Sequence, residues 1–170
     1  GGPHPRQYDA AHVGVGHRAA VAGVHSLRRV VGEQPPPGLP AAQLPALHAL
    51  ARVGHAPEAS DRLAAVAAQI EGDLALARAA HVEALARGDA AGLEKASRSF
   101  EAMGADLLAA EAAADGAVAR RRAGELRAAA AAERRTASLV ERGEGPVTPA
   151  LQAVEVRAQL RPLPAPVAPG

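Results

Sequence analysis

The sequence has no cysteine and no tryptophan, and one each of phenylalanine, tyrosine and methionine. The missing cysteine excludes a disulfide scaffold, a thiolate nucleophile and a thiolate zinc site. Large apolar side chains are scarce as well. The composition is 48% hydrophobic, but 46 of those residues are alanine, beside 17 leucines, 15 valines and one isoleucine. Leu, Ile, Val and Phe together supply 34 of 170 residues, close to the ~20% level below which strongly charged chains stay unfolded. The net charge of +1 keeps self-repulsion out of that balance. No window approaches the roughly 18 apolar residues of a membrane span, and no basic-plus-apolar start resembles a signal peptide. A length of 170 residues suits one domain or part of a larger one. These absences predict a cytoplasmic chain with no membrane contact.

Proline is absent from 58 to 145, although 14 prolines occur elsewhere. Because proline removes a backbone donor and clashes with the preceding helical turn, this alanine-rich stretch is where helices can form. Pro57 suits a first helical position, and Leu63, Val66, Ala67 and Ile70 follow on one face. Gly72 with Asp73 predicts a stop and a new N-cap. The next helix carries Leu74, Ala77, His81 and Leu85 and ends at Gly88, after which Asp89 caps a third with the stripe Leu93, Ala96, Phe100, Met103. Gly104 closes that helix. A fourth spans about 106–123, with Arg120, Arg121 and Arg122 in its last turn, where cations complement the helix dipole. A fifth spans 125–142 and stops at Gly143, Gly145 and Pro146.

The expected organisation is therefore a poorly ordered arm at 1–40 with one short helix near 18–31, then a helical domain at 41–145. Within that domain 41–53 forms an additional helix entered through Pro45. A short terminal helix follows at 146–161, opened by Thr148 and Pro149, and a proline-rich linker at 162–170. The fold class is all-α. Helices of about 15 residues joined by one to three residues pack antiparallel. Each buried alanine removes little apolar area, so at ~25 cal/mol per Å² the stabilisation per residue is low.

A fixed period is the mark of a solenoid. RGDAAGLEKASRSF at 87–100 and RAGELRAAAAAERR at 122–135 share a basic residue, a glycine, an acid and an alanine-rich helix. Gly88 and Gly124 are 36 residues apart, Ala96 and Ala129 33 apart. These values bracket the tetratricopeptide length of about 34. The second copy places Glu133 where the first has Phe100, so the repeat is degenerate.

The run SFEAMGADLLAAEAAADGAVARRRAGELRAAAAAERRTASLVERGEGPVTPAL, residues 99–151, resembles the TPR-like helical-repeat region preceding the helix-turn-helix of large LuxR-type, ATPase-containing actinobacterial transcriptional regulators. A looser similarity reaches back to about Ala41. The resemblance implies antiparallel helical hairpins of a TPR-like solenoid or bundle, with a sensor or scaffold role in transcription regulation. The complete regulators carry an ATP-binding module and a helix-turn-helix. Here Lys95, the single lysine, sits in GLEKAS without a phosphate-cradling glycine loop, and a proline-rich tail follows soon after Leu151. With glycine as its first residue, the chain reads as a fragment of such a regulator.

Other motifs lack the context that their chemistry requires. Gly14-Val15-Gly16-His17-Arg18-Ala19 with Glu33 has the form of a dinucleotide fingerprint, but no second strand-helix unit follows. His4, His12, His17 and His25 do not share a helical face, and a metal site needs convergent ligands. His81 lies on an apolar stripe without an identifiable partner for acid-base work, which favours a packing role. No catalytic residue, cofactor or metal site is expected.

The leading expectation is a non-catalytic interaction module that holds protein partners or neighbouring domains. The apolar edge at Leu151, Val154 and Val156 would also self-associate, and the chain alone would bind no DNA specifically. The alternative is a direct, non-specific nucleic-acid binder. Arg120, Arg127 and Arg134 repeat every seven residues, and Arg121, Arg122 and Arg135 lie beside them. Interleaved acids and the lack of a stacking aromatic there favour a solvated face.

Overall fold

A computed structural model describes residues 42–142 without a break, together with 23–26, 28, 29, 32, 148, 150 and 151. Among these there is no strand. Six helices follow one another: α1 (Gln43–Leu50), α2 (Ala56–Ala67), α3 (Asp73–Arg87), α4 (Ala90–Ala102), α5 (Asp106–Arg122) and α6 (Leu126–Arg142). The fold is all-α, as the proline-free, glycine-punctuated stretch predicts. Residues 23–26, 28, 29 and 32 are helical, as are Ala150 and Leu151. Most of the 1–40 arm, the segment from 152 onward with Val154 and Val156, and the 162–170 linker lie outside the described residues.

Local chemistry explains most of the helix ends. At the end of α3, Gly88 takes φ 64°, which disfavours a Cβ, and the Asp89 N–H donates back to the Ala84 carbonyl at 2.9 Å. Asp89 then opens α4, its Oδ1 accepting from the Ala91 N–H at 3.0 Å. Ala105 to Phe100 and Glu125 to Arg120 repeat the same backward bond, both at 2.9 Å. One expected cap differs. Gly72, at φ 114°, occupies the cap of α3, and Asp73 falls in the first turn without a side-chain capping bond. The chain must reverse there in a conformation that glycine adopts most readily, which moves the acid one position inward.

Consecutive helices pack against each other, and the short joints make them antiparallel. Three hairpins result, α1/α2, α3/α4 and α5/α6, so α1, α3 and α5 run in one direction. The first joint, Ala51–His55, breaks at Val53 (φ −94°, ψ 16°) and Gly54 (φ 102°). Gly54, Gly88 and Gly124 all have positive φ and stand 34 and 36 residues apart, extending the glycine spacing read from the sequence to the first hairpin. Close approach is built in at Gly92: a Cβ there would come within 2.9 Å of the Ala84 methyl and 2.6 Å of the Asp89 carboxylate.

The buried apolar residues form two clusters. The first is leucine-rich and joins Leu44, Leu47, Leu50, Leu63 and Val82 of α1 to α3. The second is mainly alanine, with Phe100, Leu139 and Leu151 as its large members. Along the α4 stripe, Leu93, Ala96 and Phe100 are buried as expected, but Met103 is 37% exposed. Met103 lies past the last turn, at φ −91° and ψ 0°, where the chain leaves the packed face for Gly104. Leu74 is likewise exposed, in the first turn of α3 beside the loop that enters it.

Phe100 is fully buried, and large-to-small changes at such aromatics remove both transfer energy and packing. Phe100→Ala is expected to destabilise the chain by ~3–5 kcal/mol in urea denaturation. Met103→Ala, at the exposed end of the same stripe, should change stability by less than about 1 kcal/mol.

Candidate functional site

The odd-numbered helices contribute pairs of polar residues one turn apart to a single cluster. His48 on α1 is followed by Arg52 at the start of the joint, Arg78 and His81 lie on α3, and Glu111 and Asp115 lie on α5. His48 Nε2 meets His81 Nδ1 at 3.0 Å, and His81 Nε2 meets Asp115 Oδ2 at 3.3 Å. These three residues stand 33 and 34 positions apart and form a ladder across α1, α3 and α5. A carboxylate only accepts, so His81 Nε2 carries the proton that it donates to Asp115. Between His48 Nε2 and His81 Nδ1 one nitrogen donates and the other accepts, according to the tautomer.

Beside the ladder, the Arg52 guanidinium bonds Glu111 Oε1, bringing the first joint to α5. The Glu111 carboxylate is 2% exposed and Arg52 29%. Three atoms of this region are buried without a hydrogen-bond partner: Arg52 Nε, Arg78 Nε and Glu111 Oε2. Burial pushes the His48 imidazole down to about 3, and His81, Arg78 and Arg52 reinforce the shift in that order. Burial also lowers the Arg78 guanidinium, and the charge of Arg52 adds to it. Phe100 closes the cluster, with its ring centroid 5.7 Å from that of His81 in a T-shaped contact and 6.2 Å from that of His48.

His81 is fully buried, as an apolar-stripe residue should be, yet it has two polar partners that its sequence neighbourhood does not reveal. His48, Arg52, Arg78, Glu111 and Asp115 were not singled out by motif or composition. One signal for them was present: His48, His81 and Asp115 recur at the repeat length, and Glu111 interrupts an alanine run.

The residues expected to form an interaction surface lie elsewhere. Arg120 pairs with Glu94 at 2.7 Å and Glu125 at 2.9 Å, whereas Arg127 and Arg134 are exposed on α6. Leu151 is 7% exposed and belongs to the Phe100 cluster, so it is a core residue rather than an open edge. A cavity of about 330 Å³ opens between α4 and α6 above α5. Alanines supply half of its lining. Its polar rim is already engaged, Glu94 by Arg120, the Ser97 hydroxyl by the Ala109 carbonyl at 2.8 Å, and Arg135 by Glu101.

Among the described residues, no group of three or more His, Asp or Glu converges as a metal site, and no helix is long and apolar enough to cross a membrane. No family model matches the chain, and no curated protein and no solved structure matches it.

The ladder makes stability depend on pH. An unfolded histidine titrates near ~6.5, above the folded value of about 3 for His48, so the unfolded state binds the extra proton. The contribution is complete above pH ~6.5 and falls as pH drops toward the folded value, by at most ~1.4 kcal/mol per pH unit. Urea denaturation between pH 7 and 5 should show this decline, and His48→Phe should flatten it.

Proposed function

We propose that this chain is a non-catalytic, TPR-like helical-repeat module that holds a protein partner or a neighbouring domain, and that it acts in the cytoplasm as the repeat region of a LuxR-type transcriptional regulator. The observation that carries the reading is the recurrence of one polar position on α1, α3 and α5 at 33 and 34 residues. A repeat built this way presents equivalent helices side by side along one surface, which is the geometry of extended binding faces. The resemblance of residues 99–151 supplies the regulator context. A catalytic role for the ladder is disfavoured by burial: His81 is fully enclosed and His48 is 2% exposed, whereas a general base must reach a substrate proton.

The nucleic-acid alternative depends on open cations between Arg120 and Arg135. Within and beside that region, Arg120, Arg121, Arg135 and Arg142 are held by Glu94, Glu125, Glu133 and Glu101. Hydrogen bonds from Arg135 and then Arg142 hold the Glu101 carboxyl below its usual range. Cations already neutralised by neighbours release few counterions from a phosphate backbone.

Two measurements test the proposal. Fluorescence anisotropy with a labelled duplex should show no binding at moderate salt, whereas micromolar, steeply salt-dependent binding would establish the nucleic-acid reading. Peptide display on the immobilised full chain should enrich ligands whose binding is lost when surface residues of α1, α3 or α5, such as Leu76, are changed. No enrichment would defeat the module reading.

A further inference from the structure

The cavity between α4 and α6 has the shape of a slot. Ala113 and Gly116 of α5, both buried, form its floor, and Ala90 of α4 faces Ala128, Ala131 and Ala132 of α6 across it. It runs from Ala90 to Ser97 on α4 and from Ala128 to Arg135 on α6, about two helical turns or ~10 Å. Small side chains on three sides leave apolar surface open to water, while Glu94, Ser97 and Arg120 at its edge are bonded within the fold. The flanks are basic. Arg127 and Arg134 stand four positions before and three after Ala131, on its side of α6. All three are exposed, and among the described residues neither arginine pairs with an acid, whereas Arg135 and Arg142 share Glu101. Glu141, an exposed acid of the same helix, lies two turns past Arg134. On the α4 flank the exposed Arg98 shares Glu94 with Arg120.

We propose that this slot docks an acidic amphipathic helix of a partner protein. Large apolar side chains at i and i+4 of that helix enter between α4 and α6, and aspartates or glutamates beside them meet Arg127 and Arg134. Two turns of slot match that spacing. The small walls let the partner's backbone come close, and the unpaired arginines draw the acids in and set the direction of approach. Charge also decides against the chain's own ends. The upstream helical residues bring Arg28 and Arg29 and are tied to α2 through Glu58, and 152–161 sets one glutamate against two arginines. A nucleic-acid strand would use the same two arginines, but its phosphates gain nothing from a methyl floor. This surface goes beyond the module reading, whose test is made on α1, α3 and α5.

The probe is a display library of helical peptides about 15 residues long, with Leu or Phe fixed at i and i+4 and the flanking positions drawn from Glu, Gln and Lys. Selection on the full chain should enrich Glu over Lys. Enriched peptides should bind at least about tenfold more weakly to Ala131→Phe, whose ring fills the slot from an exposed position, and Ala131→Gln should repeat the block without adding apolar surface. The double change Arg127→Gln and Arg134→Gln should slow association and flatten its salt dependence, whereas Lys at both positions should preserve them. Without peptide, both Ala131 variants should melt within ~2 °C of the natural chain. No enrichment, or peptides that ignore both Ala131 variants, would overturn the slot and leave the module reading to its own test at Leu76. A larger drop in melting midpoint would show that a segment of the chain already fills the slot. Sedimentation showing self-association that Ala131→Phe abolishes would put a second copy there. Duplex DNA that displaces the peptides through Arg127 and Arg134 would assign those cations to phosphates. Each of these three results would overturn the acidic helix as occupant.

Discussion

A bundle whose apolar side chains are mostly methyl groups must bring its helix axes close together, and that close approach governs the rest of the molecule. Alanine covers the faces of α5 that meet α4 and α6, with Ala109, Ala110, Ala112, Ala113, Ala114 and Ala117 all buried. Gly92 lets α3 and α4 meet where even one more methyl would collide with Ala84. Small residues at these contacts leave little apolar area to remove from water, so the larger side chains carry an uneven share. Phe100 packs against the rings of His48 and His81, which joins the alanine-rich cluster to α1, a helix of the leucine-rich one.

Filling a core with imidazoles imposes conditions that hydrocarbon does not. A buried ring nitrogen must find a partner, and a buried imidazolium must be avoided. The His48–His81 and His81–Asp115 contacts supply the partners, and burial disfavours the charged form of His48. The neighbouring Arg52–Glu111 contact is less complete, since Glu111 Oε2 and Arg52 Nε stay without partners. A hydrophobic replacement of such a buried pair is frequently neutral or stabilising, so the ion pair is poor evidence of stability. It does define which helix surfaces face each other, because only one register brings Arg52 to Glu111 while the histidine ladder is closed.

Outside the core, arginine stitches the later hairpins. Arg120 of α5 ties to α4, Arg121 ties to α6, and Arg135 and Arg142 of α6 converge on Glu101. Exposed pairs of this kind contribute little individually. Together they engage Arg120, Arg121 and Arg135 of the arginine-rich stretch, while Arg127 and Arg134 stay exposed. At the other end, Arg28 donates to Glu58 at 2.8 Å, attaching the upstream helical residues to α2.

How much of this was legible follows from the range of each interaction. Proline exclusion, glycine stops and the Asp89 cap act over a few residues, so the number, order and approximate ends of the helices could be read from the chain, as could the burial of Phe100. The glycine spacing of 36 pointed to a repeat, and Gly54 extends it by a hairpin. The polar cluster could not be read in the same way. Its members lie 33, 34 and 59 residues apart, and each looks ordinary among its own neighbours, a histidine on an apolar stripe or a glutamate in an alanine run. By itself the sequence determined an all-α chain with short joints, because backbone geometry and propensity are local. Only the tertiary structure decided that three odd-numbered helices share one polar core and that Arg52 of the first joint meets Glu111 of α5, because those outcomes depend on which helix faces meet.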